Sequence, residues 1–445
     1  MHDSTFLAEQ LALVAGYRLD DAPGAHRPAL TPAASAALNL ARQHVGAGDY
    51  AAAAEMAARA VGLAPTSPDA RALLGALYLE LGDATAAAPQ LAATVALAPN
   101  WAEASRLCGE AAFRANDMPA ARTHLQKALS LRPNWPAAAE RLGEVMLKAG
   151  DYAAGWPLLD ARFALAGRPA PAPRWDGVAP LWGKSVLILP EREIGDLVQF
   201  IRYADLLNRR GAVVYVVCPG DLVSILEAVP GVDRAFPIGM AEPNADYRLP
   251  LLSLPLAFGT TLGTVPAGVP YMKADEGLLA SWTEHFVALA PKARLRVGLI
   301  WGDAGDPSPV PVRSVPLAGL EPLWAVPDVA WFALQQGPPQ QELSFCKTPL
   351  KDVSADLAGP AAIVAAVAAL DLLIAVDTPA THVAGALGKP AWAMLAAACD
   401  WRWLAVGETT PWYPTVRCFR QDTPGGWEPV GRRVAAALAD VMNGA

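Results

Sequence analysis

The sequence predicts an α + α/β protein: an N-terminal helical solenoid followed by an α/β region of two Rossmann-like lobes. Three observations predict it. Residues 32–168 repeat with a period of 34. Beyond residue 184 the chain alternates β-type apolar runs with helical segments. A proline-rich stretch, residues 169–183, lies between the two patterns.

The repeat is visible in four kinds of position. The pairs Gly48-Asp49, Gly82-Asp83, Asn116-Asp117 and Gly150-Asp151 recur in step, as do Pro65, Pro99 and Pro133. Gly75, Gly109 and Gly143 hold the same register, and so do Ala53, Ala87, Ala121 and Gly155. Each unit reads as helix, tight turn, helix, then a proline-marked turn into the next. The Gly or Asn suits a left-handed helix end, and the Asp suits a cap on the following helix. This is the tetratricopeptide pattern, in about four units. The fourth departs from it, because Gly155-Trp156-Pro157 interrupts its second helix, and it reads as a capping unit. Such arrays curve around a groove for an extended peptide or a partner helix, so a protein partner is expected; a plain spacer is the alternative. Residues 1–31 form an extension with a helix expected over Thr5–Ala15.

At 445 residues the chain is too long for one core. Its 53% hydrophobic and 18% charged content belongs to a well-packed chain, and a net charge of -8 argues against nucleic acid as a partner. Five scattered cysteines without C-x-x-C spacing suggest neither disulfides nor zinc, and point to reduced thiols in the cytoplasm. Met1–Gly16 lacks the basic start of a secretion signal. Residues 358–376 are apolar apart from Asp371, but read as a helix then a strand, so no membrane span is expected.

In the α/β region, residues 184–290 form the expected first lobe, with strands at Ser185–Leu189, Val213–Val217 and near Arg234–Ile238. Residues 291–426 form the second. Its strands are Arg296–Trp301, Val329–Leu334, Leu372–Val376 and Ala391–Leu395; its helices are near Leu317–Ala325 and at Pro360–Leu370 and Pro379–Leu387. Two such series with a cleft between them describe the GT-B architecture. A last amphipathic helix, Glu428–Met442 within residues 427–445, is placed to brace the first lobe. Neither first strand is followed by G-x-G-x-x-G, which weighs against a nicotinamide or flavin enzyme.

Ligands of open parallel sheets bind beyond the strands' carboxyl ends, and three loops qualify. Asp377-Thr378-Pro379-Ala380-Thr381-His382 leads into a helix whose first turn suits a phosphate, with Thr378 and Thr381 as hydroxyl donors and His382 one turn in. A capped helix with a core histidine fits the same residues. In Pro190–Asp196, Asp196 fits a cap on a helix from Leu197. After Trp301, Gly302 opens a loop reaching Arg313, which is either a phosphate ligand or a solvated side chain. Trp401 and Trp403 with Arg402, and Trp412-Tyr413, fit a cleft wall or a dense core.

Residues 377–403, together with Pro411–Pro414 and Arg417–Gln421, resemble the C-terminal lobe of tetratricopeptide-linked bacterial glycosyltransferases related to heptosyltransferases. The pattern D-[TS]-x-x-x-H-x-A-x-A-L-G-x-P is met by Asp377, Thr378, His382, Ala384, Ala386, Leu387, Gly388 and Pro390. The resemblance implies a nucleotide-sugar donor held by Arg313, Asp377, Thr378, Thr381 and His382. It also implies a general base at Asp196 beside Gly195, with Glu193 standing where the family has glycine. The cleft would be shaped by Gly195, Glu193, Gly302, Trp401 and Arg402. No D-x-D occurs, so no metal and no cofactor beyond the nucleotide-sugar substrate is expected. The resemblance further implies inverting transfer to Ser/Thr of a protein, as in enzymes that modify flagellin, some with CMP-nonulosonic acids. A non-enzymatic adaptor with a vestigial transferase fold, and a glycolipid transferase, are the alternatives.

Overall fold

The computed structural model describes residues 29–167, 169–191, 193–304 and 313–444. Thr5–Ala15, where a helix is expected, lies outside them. The chain forms two compact units. Among the described residues the first comprises 29–149 and 157–167, and the second 150–156, 169–304 and 313–444.

The first unit holds helices α1 (Pro32–Gly46), α2 (Tyr50–Leu63), α3 (Pro68–Glu80), α4 (Ala84–Leu97), α5 (Ala102–Arg114), α6 (Met118–Leu131) and α7 (Pro136–Lys148). The repeated pairs do what their chemistry suggests. Gly48, Gly82, Asn116 and Gly150 have φ of 76°, 79°, 61° and 87°, the left-handed region that ends a helix. Asp49, Asp83 and Asp117 each accept a hydrogen bond from the amide three residues on, capping α2, α4 and α6. The repeated glycines permit close helix approach. A Cβ on Gly75 would lie 2.6 Å from Leu91 Cγ, and one on Gly109 2.6 Å from Leu125 Cγ.

The fourth unit's second helix, α8 (Tyr152–Leu159), carries Pro157 and stops after eight residues, where α2, α4 and α6 each run to fourteen. A short α9 (Arg162–Leu165) follows. Tyr152 and Trp156 belong to the second unit, in which they are buried.

The proline-rich stretch packs rather than hangs free. Trp175 is buried edge-on against Phe258, and Arg248 N–H donates to Pro173 O. The first lobe has strands β1 (Ser185–Leu189), β2 (Val213–Cys218), β3 (Arg234–Pro237) and β4 (Tyr247–Pro250), all parallel, in the order β3-β2-β1-β4. Its helices include α10 (Ile194–Phe200) and α11 (Tyr203–Arg209).

The second lobe has β5 (Leu295–Ile300), β6 (Val329–Ala333), β7 (Lys351–Asp352), β8 (Leu372–Val376), β9 (Ala391–Leu395) and β10 (Val416–Arg420), again all parallel. Their order, β10-β9-β8-β5-β6-β7, is the doubly wound one read from its far edge. β8 follows helix α12 (Pro360–Ala369) and precedes α13 (Pro379–Ala386). Residues 358–376 are thus a helix and a strand, and among the described residues no helix is long and apolar enough to cross a membrane. Leu317–Ala325 is a 3₁₀ helix. The last helix, α14 (Trp427–Asn443), packs on the second lobe, not on the first as the sequence suggests. Its buried Val430, Val434, Ala437 and Leu438 share a core with Leu320, Leu323 and Phe419. An apolar stripe at that spacing is satisfied by the nearest open face, here the 3₁₀ helix and β10.

Candidate functional site

The strand order reverses direction between β5 and β8, so their carboxyl ends open the crevice where ligands of such sheets bind. Trp301-Gly302 leaves β5 there, and Asp377-Thr378 leaves β8. From the first lobe, the loop after β1 brings α10 against α13. Gly195 makes that approach possible, since a Cβ on it would lie 3.0 Å from His382 Cδ2.

Asp196 is buried, in the first turn of α10. That helix begins at Ile194 rather than Leu197, with Glu193 at its N-cap and Asp196 closing a capping box: Asp196 Oδ2 accepts from Glu193 N–H at 3.3 Å. Asp196 Oδ1 pairs with Arg402 Nη2 from the second lobe. The expected free base at Asp196 is therefore a carboxylate engaged on both oxygens. Arg402 is also pinned by Asp400, 2.7 Å from Nη1, and lies over the Trp401 ring. Burial lowers the guanidinium's proton affinity, but the two carboxylates more than offset this and push it up. For Asp400 burial works upward, and Arg402 overrides it to hold the carboxyl below its ordinary value.

His382 is buried on α13. Its Nδ1 is 2.9 Å from Tyr413 OH, and its Nε2 is 3.8 Å from Asp377 Oδ1. Burial, reinforced by the positive charge of Arg402 and Arg202, takes its pKa down to about 3, so it is neutral at pH 7. Asp377 therefore gains no ion pair from it. Burial raises the Asp377 carboxyl to about 6, partly offset by Arg313 and further lifted by Asp400. Arg313 lies 3.8 Å from Asp303 Oδ2 and keeps about a third of its side chain in solvent.

The two threonines differ. Thr381 donates its hydroxyl to Val376 O at 2.8 Å, tying α13 to β8, so it is not the ligand donor expected of it. Thr378 stands at the N-cap of α13 with its Oγ1 buried and without a hydrogen-bond partner, a costly arrangement unless a ligand or water completes it. Gly302 is held on both sides by buried Gln335, which accepts from its N–H and donates to its C=O. A Cβ there would meet Pro339 Cγ at 2.5 Å.

Trp401 and Trp412 are buried with Tyr152, Trp156 and Phe200 in one aromatic cluster, so Trp401 is core beneath the site and not a solvent-facing wall. Arg202 of the first lobe was not singled out by the sequence. It donates to Trp412 O at 2.7 Å and to Tyr271 OH at 2.8 Å, stitching the lobes together beneath the crevice. An arginine in the stretch Val198–Ala204, otherwise apolar but for Gln199, is the available signal. Among the described residues no cluster of three or more His, Cys, Asp or Glu could hold a metal ion.

Residues 44–111 and 108–162 match tetratricopeptide-repeat models. Protein FlbA of Caulobacter vibrioides is 30% identical over 324 residues, covering 64% of this chain and 52% of FlbA. The chain thus spans about half the length of this curated relative. Among solved structures, a thermophilic tetratricopeptide protein of Thermus thermophilus aligns with 23% identity and a TM-score of 0.28, over 30% of this chain and 75% of that chain. A glycosyl transferase of family 9 from Veillonella parvula aligns with 12% identity and a TM-score of 0.42, over 60% and 91%. Both structural likenesses are too distant to carry an argument about activity.

Proposed function

We propose that the second unit is a metal-independent, inverting glycosyltransferase that takes a nucleotide-sugar, and that the tetratricopeptide array holds its protein acceptor. The carrying observation is Thr378: a buried, unpaired hydroxyl at the N-terminus of α13, at the sheet's switch point, beside Arg313 and the Asp377 carboxylate. A donor phosphate set there would accept from Thr378 Oγ1 and meet the helix dipole and the Arg313 guanidinium, which offset charge building on the leaving nucleotide. The array supports a protein acceptor, for which a cytoplasmic flagellin with a CMP-nonulosonic acid donor is the pair to try first.

Calorimetric titration of the full chain with CMP-, UDP-, GDP- and ADP-sugars tests the reading. Binding of one class is expected, weakened about tenfold or more by Thr378→Val or Arg313→Ala, as loss of a charge-assisted contact implies. One observation favours a second reading, a non-enzymatic adaptor. The Asp196–Arg402 pair ties a first-lobe loop to a second-lobe loop across the site. An adaptor binds none of the four donors.

A further inference from the structure

We infer that Tyr413 is a positioning residue for the donor site, a role that rests on the glycosyltransferase reading. Its hydroxyl donates to His382 Nδ1 and so keeps the imidazole proton on Nε2, the nitrogen turned toward the crevice.

The packing builds a seat for this contact. His382 and Tyr413 are both buried. The phenol fits against α13 because residue 385, nearly one turn beyond His382, is glycine; a Cβ there would lie 2.3 Å from Tyr413 Cδ1. The Arg202 guanidinium lies over the same ring at 4.8 Å, and it donates to the neighbouring Trp412 O at 2.7 Å. Trp403 covers the imidazole, with ring centroids 5.3 Å apart and planes tilted by 30°. What these neighbours hold in place is the 2.9 Å approach of Tyr413 OH to His382 Nδ1.

The direction of the hydrogen bond follows from where each proton can go. A neutral imidazole donates through one nitrogen and accepts through the other. A buried phenol needs an acceptor for its own proton. Beside His382, the other acceptor near Tyr413 is Tyr271. Tyr271 OH already donates to Val198 O at 2.9 Å and accepts from Arg202 Nη2 at 2.8 Å. A second proton aimed at that oxygen would meet the guanidinium's charge, and a bare imidazole nitrogen is the stronger acceptor. The phenol therefore donates to Nδ1, and the ring's own proton stays on Nε2. Nε2 lies 3.4 Å from where a Cβ on Gly195 would stand, and 3.8 Å from Asp377 Oδ1, beyond hydrogen-bond range. It thus faces the gap between the loops after β1 and β8. Thr378 stands four residues earlier, at the N-cap of the same helix, so its hydroxyl and Nε2–H are two donors for one phosphate. With the proton on Nδ1 instead, Nε2 would turn a lone pair toward that phosphate and repel it.

The test uses the full chain labelled with ¹⁵N in its six histidines, with spectra recorded without ligand, and calorimetry with CMP, UDP, GDP, ADP and their sugars. The signal lost in His382→Gln identifies His382. The wild type should show a bare Nδ1 and a protonated Nε2. Tyr413→Phe, which keeps the ring in its seat, should raise the population protonated on Nδ1. Its affinity for nucleotide and nucleotide-sugar should fall about two- to tenfold, the span of one hydrogen bond. His382→Gln sets an amide donor close to the position of Nε2 that needs no partner to orient its proton. In that background Tyr413→Phe should change affinity less than about twofold. A protonated Nδ1 in the wild type, or an unchanged tautomer in Tyr413→Phe, overturns the assignment. So does an equal loss of affinity in both backgrounds, which would make Tyr413 a packing residue only. If the wild type binds none of the nucleotides or donors, the transferase reading falls and the ligand role with it, while a bare Nδ1 would still uphold the Tyr413–His382 hydrogen bond.

Discussion

Replacing Asp377 by asparagine should stabilise the protein at neutral pH. The carboxyl moves from 3.8 in the unfolded chain to about 6 when folded, chiefly through burial. The folded state therefore binds this proton more tightly than the unfolded state. Stability contributed by the protonated form is fully present below about pH 4 and is lost as pH rises through 6. Each tenfold difference in proton affinity is worth 1.36 kcal/mol, so burying the carboxylate costs about 3 kcal/mol at pH 8. Asparagine keeps the shape without the charge and escapes that cost. At about 2–4 °C per kcal/mol for a large domain, the variant's melting temperature should exceed the wild type's by several degrees at pH 8. At pH 4 the two should converge. Thermal melts followed by tryptophan fluorescence across that range are sensitive to the site, because Trp403 adjoins the carboxylate. A pH-independent difference between the curves would refute the reasoning. A variant more stable yet inactive is the signature of a functional carboxylate held against its own solvation.

Three further substitutions follow from the packing. Arg402→Ala leaves Asp196 and Asp400 without their shared cation and should cost about 3–5 kcal/mol in urea unfolding. Adding Asp196→Ala should return at least about 1 kcal/mol of that, and strict additivity would show the pair to be uncoupled. Gly75→Ala would drive a methyl into Leu91 at 2.6 Å and should destabilise the helical array by about 1–3 kcal/mol, with relief by Leu91→Ala, as read from helical circular dichroism in urea. Gly385→Ala would set a Cβ 2.3 Å from Tyr413 Cδ1. It should displace the phenol from His382 Nδ1, with a loss of about 1–3 kcal/mol, and a full-stability variant would mean that the α13–Tyr413 contact is looser than drawn.

The parts of the molecule legible in the sequence are those whose causes are local. A Gly-Asp pair makes its own helix end and its own cap, so the array could be read from spacing alone. β1, β8 and β9 are continuous apolar runs buried on both faces, and their residues are those the sequence marks. β4 (YRLP), two-residue β7 and β10 (VRCFR) were not marked as strands, because each is short or carries charge, and β7 and β10 lie at sheet edges where one side stays open. In the site the same division holds. Asp377, Thr378 and His382 fall in one contiguous segment, so their association is visible at once.

The proton balance is different in kind. Asp196 and Arg402 are 206 residues apart, and no pattern along the chain couples them. Without that pair Asp196 is the obvious base and Asp377 an ancillary ligand. With it, the carboxylate flanked by a glycine and a helix start is the one neutralised by a cation. The carboxylate beside a histidine gains no ion pair from it, because burial has taken that histidine's charge away. Residue type and spacing located both acids; the charges set against each are decided by the fold.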